Sequence, residues 1–231
     1  MSRGYFIAGT DTGVGKTLVS SALIRAFAAQ GHRVVGMKPV AAGSVMRNGK
    51  PIWEDTEALM AASNITASVA AVMPYGLRDA LAPHIAAERE HVSIEMTVIA
   101  NAYQKLAAMA DVVIVEGAGG LLVPLGDTLD AAEIPRALGL PVILVVGMRL
   151  GCLNHALLTQ LAIAQRGLKL AGWVGSVIDP GMSAVEENFS TLKSRIAAPN
   201  LGFVPFLDSP DVSRVSSLLK VGTLDEGERA L

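Results

Sequence analysis

The stretch "YFIAGTDTGVGKT", residues 5–17, places a short apolar run directly before a glycine-rich segment that ends in Gly-Lys-Thr. The usual phosphate-binding loop reads G-x-x-x-x-G-K-[ST] and lies between a strand and a helix. Here the first glycine position holds Thr10, and Gly9 stands one residue earlier. Because strand, G-x-G-K-T and amphipathic helix still follow in that order, the stretch predicts a polyphosphate site rather than an ordinary strand-to-helix turn.

Backbone N–H groups and side chains of this loop are both expected to bind the phosphates. The backbone N–H groups of Gly13, Val14 and Gly15 would surround the phosphates, and the helix that continues through Leu18 adds a favourable dipole. Lys16 would reach the β- and γ-phosphates, and the Thr17 hydroxyl would coordinate magnesium. The loop therefore predicts a nucleoside triphosphate with Mg²⁺.

Composition narrows the class of protein. Apolar residues make up 51% of the 231-residue chain and aromatic ones only 4%, as expected for a parallel sheet covered by helices on both faces. A net charge of −2 without a run of Lys and Arg gives no support for nucleic-acid or membrane-surface binding. The chain has one cysteine and no leader, and none of its apolar stretches approaches the roughly 20 residues that span a membrane. These features favour a cytoplasmic location.

Alternating patterns along the chain indicate βαβ units. Strands are predicted at residues 5–8, 34–38, 112–116, 142–146, 171–177 and, more weakly, 202–204. Helices are predicted at 16–30, 93–110 with Ser93 as the cap, 152–166 and 184–196. Residues 42–53 are predicted to form a loop, and the polar segment 223–231 to be poorly ordered. The expected fold is one α/β domain over residues 1–231, a mostly parallel, doubly wound sheet of the P-loop NTPase type.

Unusual residues follow the strand ends, where such sheets bind ligands. Lys38 ends the second strand, where it could neutralise charge in phosphoryl transfer. Four apolar residues deliver Glu116 to the end of a buried strand, where a carboxylate needs a metal or donor. The following Gly117, Ala118 and Gly119 leave room for a ligand. Of Glu54 and Asp55, one is expected to be a helix N-terminal charge and the other a magnesium ligand.

The segment "RLGCLNHALLT" begins a further helix after a strand. The free N–H groups of Gly151, Cys152, Leu153 and Asn154 could hold an anionic substrate such as a carboxylate. Cys152 and His155, three residues apart at a helix start, are interpreted as packing and capping residues. The four histidines of the chain lack the spacing of zinc ligands.

Seven segments, taken in order over residues 5–207, resemble the dethiobiotin synthetase family: "GTDTGVGKT", "MKPVAAGS", "EDT", "APHIAAE", "VEGAGGLLVPL", "RLGCLNHALLT" and "GWVGSVID". The resemblance implies ATP-dependent ring closure of 7,8-diaminopelargonic acid with carbon dioxide, through a carbamate and a carbamic-phosphoric anhydride. It implies that Lys16, Lys38 and Thr12 position the reacting groups and that Thr17, Asp55 and Glu116 hold magnesium. It also implies a homodimer, in which residues 151–154 of one subunit receive the substrate carboxylate held by the other.

The chain departs from this family at two positions. The family usually has a serine that contacts the substrate where this chain has Ala42, and Ser44 is the candidate replacement. Ser176 occupies the position of the adenine-reading asparagine and lacks the paired donor and acceptor of an amide. Pro205, Phe206 and Leu207 match the segment that lines the base. ATP is therefore the expected nucleotide, and acceptance of other nucleoside triphosphates remains an alternative.

Three alternatives remain. Partitioning-type or metallochaperone-like ATPases commonly carry a second lysine where this chain has Asp11. Amidotransferase-type synthetases that act on cobyrinic acid need a glutaminase with a nucleophilic cysteine, for which the chain leaves no room. A non-enzymatic nucleotide-binding scaffold would bind ATP without substrate-dependent release of phosphate.

Overall fold

The computed structural model describes residues 2–224 of the chain. The strands within that range are β1 (Arg3–Gly9), β2 (Val34–Met37), β3 (Val40–Ala42), β4 (Val45–Arg47), β5 (Lys50–Ile52), β6 (Tyr75–Leu77), β7 (Val112–Gly120), β8 (Val142–Met148), β9 (Leu170–Val177) and β10 (Asn200–Val204). The helices there are α1 (Lys16–Ala29), α2 (Glu54–Ala62), α3 (Val69–Val72), α4 (Pro83–Arg89), α5 (Met96–Ala107), α6 (Glu133–Leu138), α7 (Cys152–Gln165), α8 (Val185–Arg195) and α9 (Val212–Leu218).

Six strands form the central sheet in the order β10–β9–β8–β1–β7–β2, and all of their pairings are parallel. Alternate residues of β7 belong to two different hydrophobic clusters, Val113 and Val115 on one face and Val112 and Ile114 on the other. Because successive side chains of a strand point to opposite faces, both faces of the sheet are buried. This is the predicted doubly wound α/β fold.

Each face of the sheet is covered by its own helices. The cluster on one face includes apolar residues from α1, α2 and α9, and the cluster on the other includes residues from α5, α7 and α8. This two-sided packing explains why the strands read as continuous apolar runs. The carboxyl ends of β1, β7 and β8, three neighbouring strands, meet at one edge and place their following loops side by side.

All six predicted strands are confirmed, and β7 runs four residues beyond its predicted end, through the glycines after Glu116. The predicted helices are confirmed in place, and Gly31, with φ of 89°, follows the C-cap of α1. The prediction of Ser93 as a cap is wrong, because α5 begins at Met96 after an extended Glu95 without a side-chain cap. None of the described helices combines the length and apolarity that crossing a bilayer requires.

The prediction of a loop over residues 42–53 is also wrong. Strands β4 and β5 pair antiparallel across Asn48 and Gly49, whose φ values are 52° and 74°. Two central residues with positive φ make the type I′ turn that suits a two-residue hairpin. The prediction for residues 223–231 falls mostly outside the described part of the chain.

Candidate active site

The loop between β1 and α1 is shaped by its glycines and held by Thr10. Gly13 and Gly15 have φ values of 73° and 88°, which favour glycine. A Cβ added to Gly15 would lie 2.8 Å from Ser176 Oγ. The Thr10 hydroxyl accepts a hydrogen bond from the N–H of Gly147 in β8, 3.2 Å away. A glycine at position 10 could not form this bond, so the departure from the common pattern ties the loop to the neighbouring strand.

Lys16 is buried at the start of α1, and its Nζ donates to the Asp11 carbonyl oxygen, 2.9 Å away. Burial lowers the pKa of the Lys16 ammonium from 10.5 to about 8, and the positive charge of Lys38 acts in the same direction. Val14 packs into the core and Leu18 packs against it, so their side chains support the loop rather than face the cavity.

Four of the predicted side chains meet beside this loop. Lys38 Nζ lies 2.5 Å from Glu116 Oε1 and 2.8 Å from Asp55 Oδ2. Thr17 Oγ1 lies 2.9 Å from Glu116 Oε1 and 2.9 Å from Asp55 Oδ1, and can donate its one proton to either. The carbonyl oxygen of Gly117 also accepts from Lys38 Nζ at 3.3 Å. The residue after β2, the middle of β7 and the first turns of α1 and α2 thus share one cluster.

The electrostatics of this cluster depend on Lys38. Burial alone would lower the pKa of Lys38, but Glu116 and Asp55 outweigh it and the pKa lies above its ordinary value. Burial would likewise raise the pKa of Asp55, yet Lys38 holds it below the ordinary value. Glu116 is 0% exposed, so its charge has the ammonium rather than water as its compensation. The pKa shifts of Lys38 and Asp55 both favour the charged forms of these two side chains.

Glu54 and Asp55 contact different partners in the structure. Asp55 faces the cluster, whereas the exposed Glu54 lies 3.8 Å from Arg47 of the β4–β5 hairpin. Both residues belong to the first turn of α2, which also favours negative charge there. Asp55 is therefore the carboxylate available to a ligand.

The oxygen atoms of this cluster suit a hard divalent cation. Thr17, Asp55 and Glu116 supply one hydroxyl and two carboxylates, and Glu116 Oε2 is buried with no hydrogen-bond partner among the described residues. Within residues 2–224 there is no group of three or more His, Cys, Asp or Glu side chains placed to hold a metal. Magnesium is commonly held by one or two carboxylates together with phosphate oxygens, so the residues present fit Mg²⁺ bound with a nucleotide.

A cavity of ≈ 850 Å³ opens in front of the cluster. Eleven predicted site residues line it: Thr12, Gly13, Gly15, Lys16, Thr17, Lys38, Ala42, Asp55, Glu116, Ala118 and Gly119. The rest of the lining consists of Ala80, Leu81, Ala82, Pro83 and Val123, to which the sequence assigned no role. The first four precede and begin α4, where Pro83 takes the first-turn position that proline favours. Pro83 could have predicted the start of this helix from the sequence. The other residues of this part of the lining are small and apolar, and such residues give no chemical sign of a binding site.

The remaining predicted residues lie outside this lining. The Ser44 hydroxyl donates to the Arg78 carbonyl oxygen, 3.4 Å away, and does not face the cavity that Ala42 lines. Ser176 is buried at the end of β9 beside Gly15, and the segment Pro205, Phe206 and Leu207 follows β10, with Phe206 half-exposed.

The start of α7 lies at the same edge of the sheet, after β8. Gly151, with φ of 95°, is its N-cap. The prediction of a free N–H at Cys152 is wrong, because that N–H donates to the Arg149 carbonyl oxygen at 3.0 Å. Cys152 is buried, in keeping with its interpretation as a packing residue, Leu153 packs on the core, and Asn154 is exposed. None of residues 151–154 lines the cavity of the same chain.

The chain is similar to known proteins over nearly its whole length. The chain matches the AAA domain family over residues 3–213. It is 52% identical over 224 residues to the ATP-dependent dethiobiotin synthetase BioD of Nitrosospira multiformis, covering 97% of each chain. It is 51% identical over 219 residues to the protein of the same name from Aromatoleum aromaticum, covering 95% of this chain and 97% of that one.

Among solved structures, the chain resembles the septum site-determining protein MinD of Pyrococcus horikoshii in complex with Mg-ADP. The TM-score is 0.56 at 16% identity, over 94% of this chain and 86% of that one. At that identity the likeness concerns the fold, a parallel sheet flanked by helices of the P-loop NTPase type.

Proposed function

Because the chain belongs to the ATP-dependent dethiobiotin synthetase family, we propose that its strand-end cavity closes the ureido ring of dethiobiotin. The substrates are 7,8-diaminopelargonic acid, carbon dioxide and ATP, and the other products are ADP and phosphate. The observation that carries this proposal is the ammonium of Lys38, held between Asp55 and Glu116 beside the phosphate loop. A buried cation at that place can serve an anionic acceptor and a transferring phosphoryl group together.

The chemistry proceeds in three bond-forming steps. One amine of the substrate attacks carbon dioxide and loses a proton, giving a carbamate. A carbamate oxygen attacks the γ-phosphorus of ATP, and the bond to the bridging oxygen breaks as ADP leaves. The second amine then attacks the carbamoyl carbon and loses a proton, the carbon–oxygen bond to phosphate breaks, and phosphate leaves as the cyclic urea forms. No covalent bond to the enzyme is needed, so catalysis rests on positioning and charge stabilisation.

The side chains of this chain would divide that task. Lys16 would hold the β- and γ-phosphates from the first turn of α1, and Lys38 would hold the carbamate oxygens and the γ-phosphate. Thr12 would orient the acceptor, because it lines the cavity together with Lys16 and Lys38. Thr17, Asp55 and Glu116 would hold Mg²⁺, which when bound neutralises the charge of the phosphates. The wall at Ala80, Leu81 and Ala82 would contact the alkyl chain of the substrate.

The nucleotide base would be held by apolar contacts rather than by an amide. Pro205, Phe206 and Leu207 follow the edge strand β10, and Ser176 offers one hydroxyl where a base would approach the end of β9. A hydroxyl cannot supply a paired donor and acceptor to one base edge. We infer that ATP is used and that GTP and CTP are also accepted.

A second copy of the chain is proposed to complete the substrate site. Leu150 is 93% exposed, and Leu158 and Leu161 of α7 are also exposed, beside Leu122 from the loop after β7. An adjoining groove of ≈ 400 Å³ is lined by Leu122, Pro124 and Leu158. Exposed apolar area of this kind marks interaction surfaces, and two-fold dimers are the commonest oligomers. In such a dimer the start of α7 would receive the substrate carboxylate from the partner's cavity.

The dimer proposal is tested by light scattering of wild type and Leu158→Glu. The expected result is a dimer that becomes a monomer on substitution, with loss of substrate-dependent phosphate release. A wild-type monomer with full activity would contradict it. The matched control is Leu218→Glu, an exposed apolar position of α9, on the other face of the sheet.

The test of the activity is phosphate release from MgATP with and without diaminopelargonic acid and bicarbonate. Release that requires both, together with a cyclic urea identified by mass spectrometry, is the expected result. Release indifferent to both would instead indicate an ATPase. A binding titration with MgADP, run on the same sample, separates a failure of nucleotide binding from a failure of ring closure.

A further inference from the structure

We propose that Arg149 is a positioning residue for the nucleotide, acting through Asp11 of the phosphate loop. Arg149 Nη2 lies 2.7 Å from Asp11 Oδ2, although 138 residues separate the two in sequence. The inference rests on the proposed function, because it concerns the same nucleotide site, and it gives a role to two residues that the reaction itself does not require.

Asp11 contacts two residues of the phosphate loop and one residue that follows β8. Its Oδ1 accepts the N–H of Thr12 at 2.7 Å, its carbonyl oxygen accepts Lys16 Nζ at 2.9 Å, and its Oδ2 pairs with Arg149. The side chain thus fixes the backbone just ahead of Gly13, where phosphate oxygens would bind. Movement of Asp11 would shift both the loop and the Lys16 ammonium.

Arg149 is the first residue after β8, the strand that pairs with β1 on the side away from β7. Thr10 is already bonded to the same strand, through its N–H to Val145 and its hydroxyl to Gly147. The Arg149 carbonyl oxygen also accepts the N–H of Cys152, in the first turn of α7. Arg149 therefore joins the phosphate loop to the helix start at which the substrate carboxylate is proposed to bind.

The negative charge of Asp11 explains why its ion pair with Arg149 affects nucleotide binding. Asp11 lines the groove that adjoins the phosphate cavity and shares Thr12 with it, so its carboxylate would repel an incoming triphosphate unless a cation compensates it. Asp11 and Arg149 are 48% and 42% exposed, so solvent screens the pair and its effect is limited. From the strength of half-exposed ion pairs we expect loss of Arg149 to weaken nucleotide binding about fivefold.

The experiment is a calorimetric titration of the full chain with MgADP, which avoids turnover. Arg149→Gln is expected to raise the Kd about fivefold, whereas Asp11→Asn, which keeps the Oδ1 acceptor for Thr12, should change it by less than about twofold. The double variant Asp11→Asn/Arg149→Gln should return to within about twofold of wild type, because no bare carboxylate remains. Arg149→Lys should recover most of the affinity, and raising the salt to about 0.5 M should reduce the effect of Arg149→Gln.

Two results would overturn the proposal. A double variant as weak as Arg149→Gln would mean that Arg149 acts on the nucleotide directly and not through Asp11. A wild-type Kd in Arg149→Gln would mean that the pair has no part in binding. Arg33→Gln is the matched control, since Arg33 pairs with Asp111 at 2.8 Å in a similarly exposed position at the opposite edge of the sheet. Wild-type protein that binds MgADP but forms no cyclic urea would refute the proposed function alone.

Discussion

Replacing Lys38 by methionine removes the one described cation that contacts both carboxylates of the cluster. Methionine keeps the length of the side chain and its packing, so the change is chiefly the loss of charge and of the hydrogen bonds to Glu116 and Gly117. Asp55 is half-exposed and would regain water. Glu116 is buried and would not, so its carboxylate would remain without compensation.

The loss of unfolding free energy in Lys38→Met is limited by protonation of the buried Glu116 carboxylate. Removing one partner of a buried ion pair typically costs about 3 to 5 kcal/mol. Protonation limits this cost, because neutralising a glutamate from its ordinary pKa near 4.3 costs about 3.7 kcal/mol at pH 7 and about 1 kcal/mol at pH 5. We expect Lys38→Met to lower the free energy of unfolding by about 3 to 4 kcal/mol at pH 7. The loss should shrink to about 1 kcal/mol at pH 5.

Urea unfolding of the nucleotide-free protein, followed by circular dichroism in the presence of a chelator, measures this difference at both values of pH. The double variant Lys38→Met/Glu116→Gln should regain most of the lost stability, because it removes both charges. Lys105→Met, on the exposed surface of α5, is the control and should change stability by less than about 0.5 kcal/mol. A loss below about 1 kcal/mol at pH 7, or one that does not change with pH, would refute the assignment of Lys38 as the counter-ion of Glu116.

Three further outcomes are expected. Gly15→Ala, which combines φ of 88° with a contact of 2.8 Å to Ser176 Oγ, should weaken MgADP binding at least about tenfold in calorimetry. Gly31→Ala, with φ of 89° in open space, should lower stability but leave that affinity unchanged. Hydrogen bonds from Arg33 hold the pKa of Asp111 at about 2, below its ordinary 3.8, so their stabilisation is present above 3.8 and lost as pH falls through 2. In Arg33→Gln an NMR titration should show that pKa returning towards 3.8, and an unchanged value would contradict the pairing. Ser176→Asn should increase the ratio of kcat/KM for ATP over that for GTP, and an unchanged ratio would show that other contacts read the base.

The parts of the molecule that local sequence determines were predictable. A glycine-rich loop between an apolar run and an amphipathic helix is a local signal, and the run that delivers Glu116 is another. Because parallel strands place their carboxyl ends at one edge, knowing the strands was enough to bring Lys16, Lys38 and Glu116 together. Thr17 and Asp55 followed from the helices at the same edge.

Other features depend on contacts between distant parts of the chain. The apolar wall from Ala80 to Pro83 has no chemical signature, and only the folded chain brings it into the same cavity as the phosphate loop. The pairing of Asp11 with Arg149 likewise arises because β1 and β8 are neighbours in the sheet. Ser44 points to Arg78 rather than to the cavity, an orientation that sequence spacing cannot give.

The sequence contains a signal for the β4–β5 hairpin, although the composition of the segment favours a loop. Asn48-Gly49 is the preferred pair for a type I′ turn. Its strands are three residues long and largely exposed, so the alternation of apolar and polar residues that marks a half-buried strand is missing. The glycines and the proline nearby favoured a loop, and the turn chemistry was the better guide.

Transfer of a phosphoryl group from ATP to a carbamate oxygen can be followed with an isotope label. Carbon dioxide labelled with ¹⁸O is supplied with MgATP and diaminopelargonic acid in a reaction shorter than the exchange of the label with water. The phosphate released is then analysed by mass spectrometry. One ¹⁸O atom in each phosphate formed together with dethiobiotin is the expected result, because the carbamate oxygen leaves with phosphorus. Dethiobiotin accompanied by unlabelled phosphate would rule out the carbamic-phosphoric anhydride, since phosphate would then have formed by attack of water.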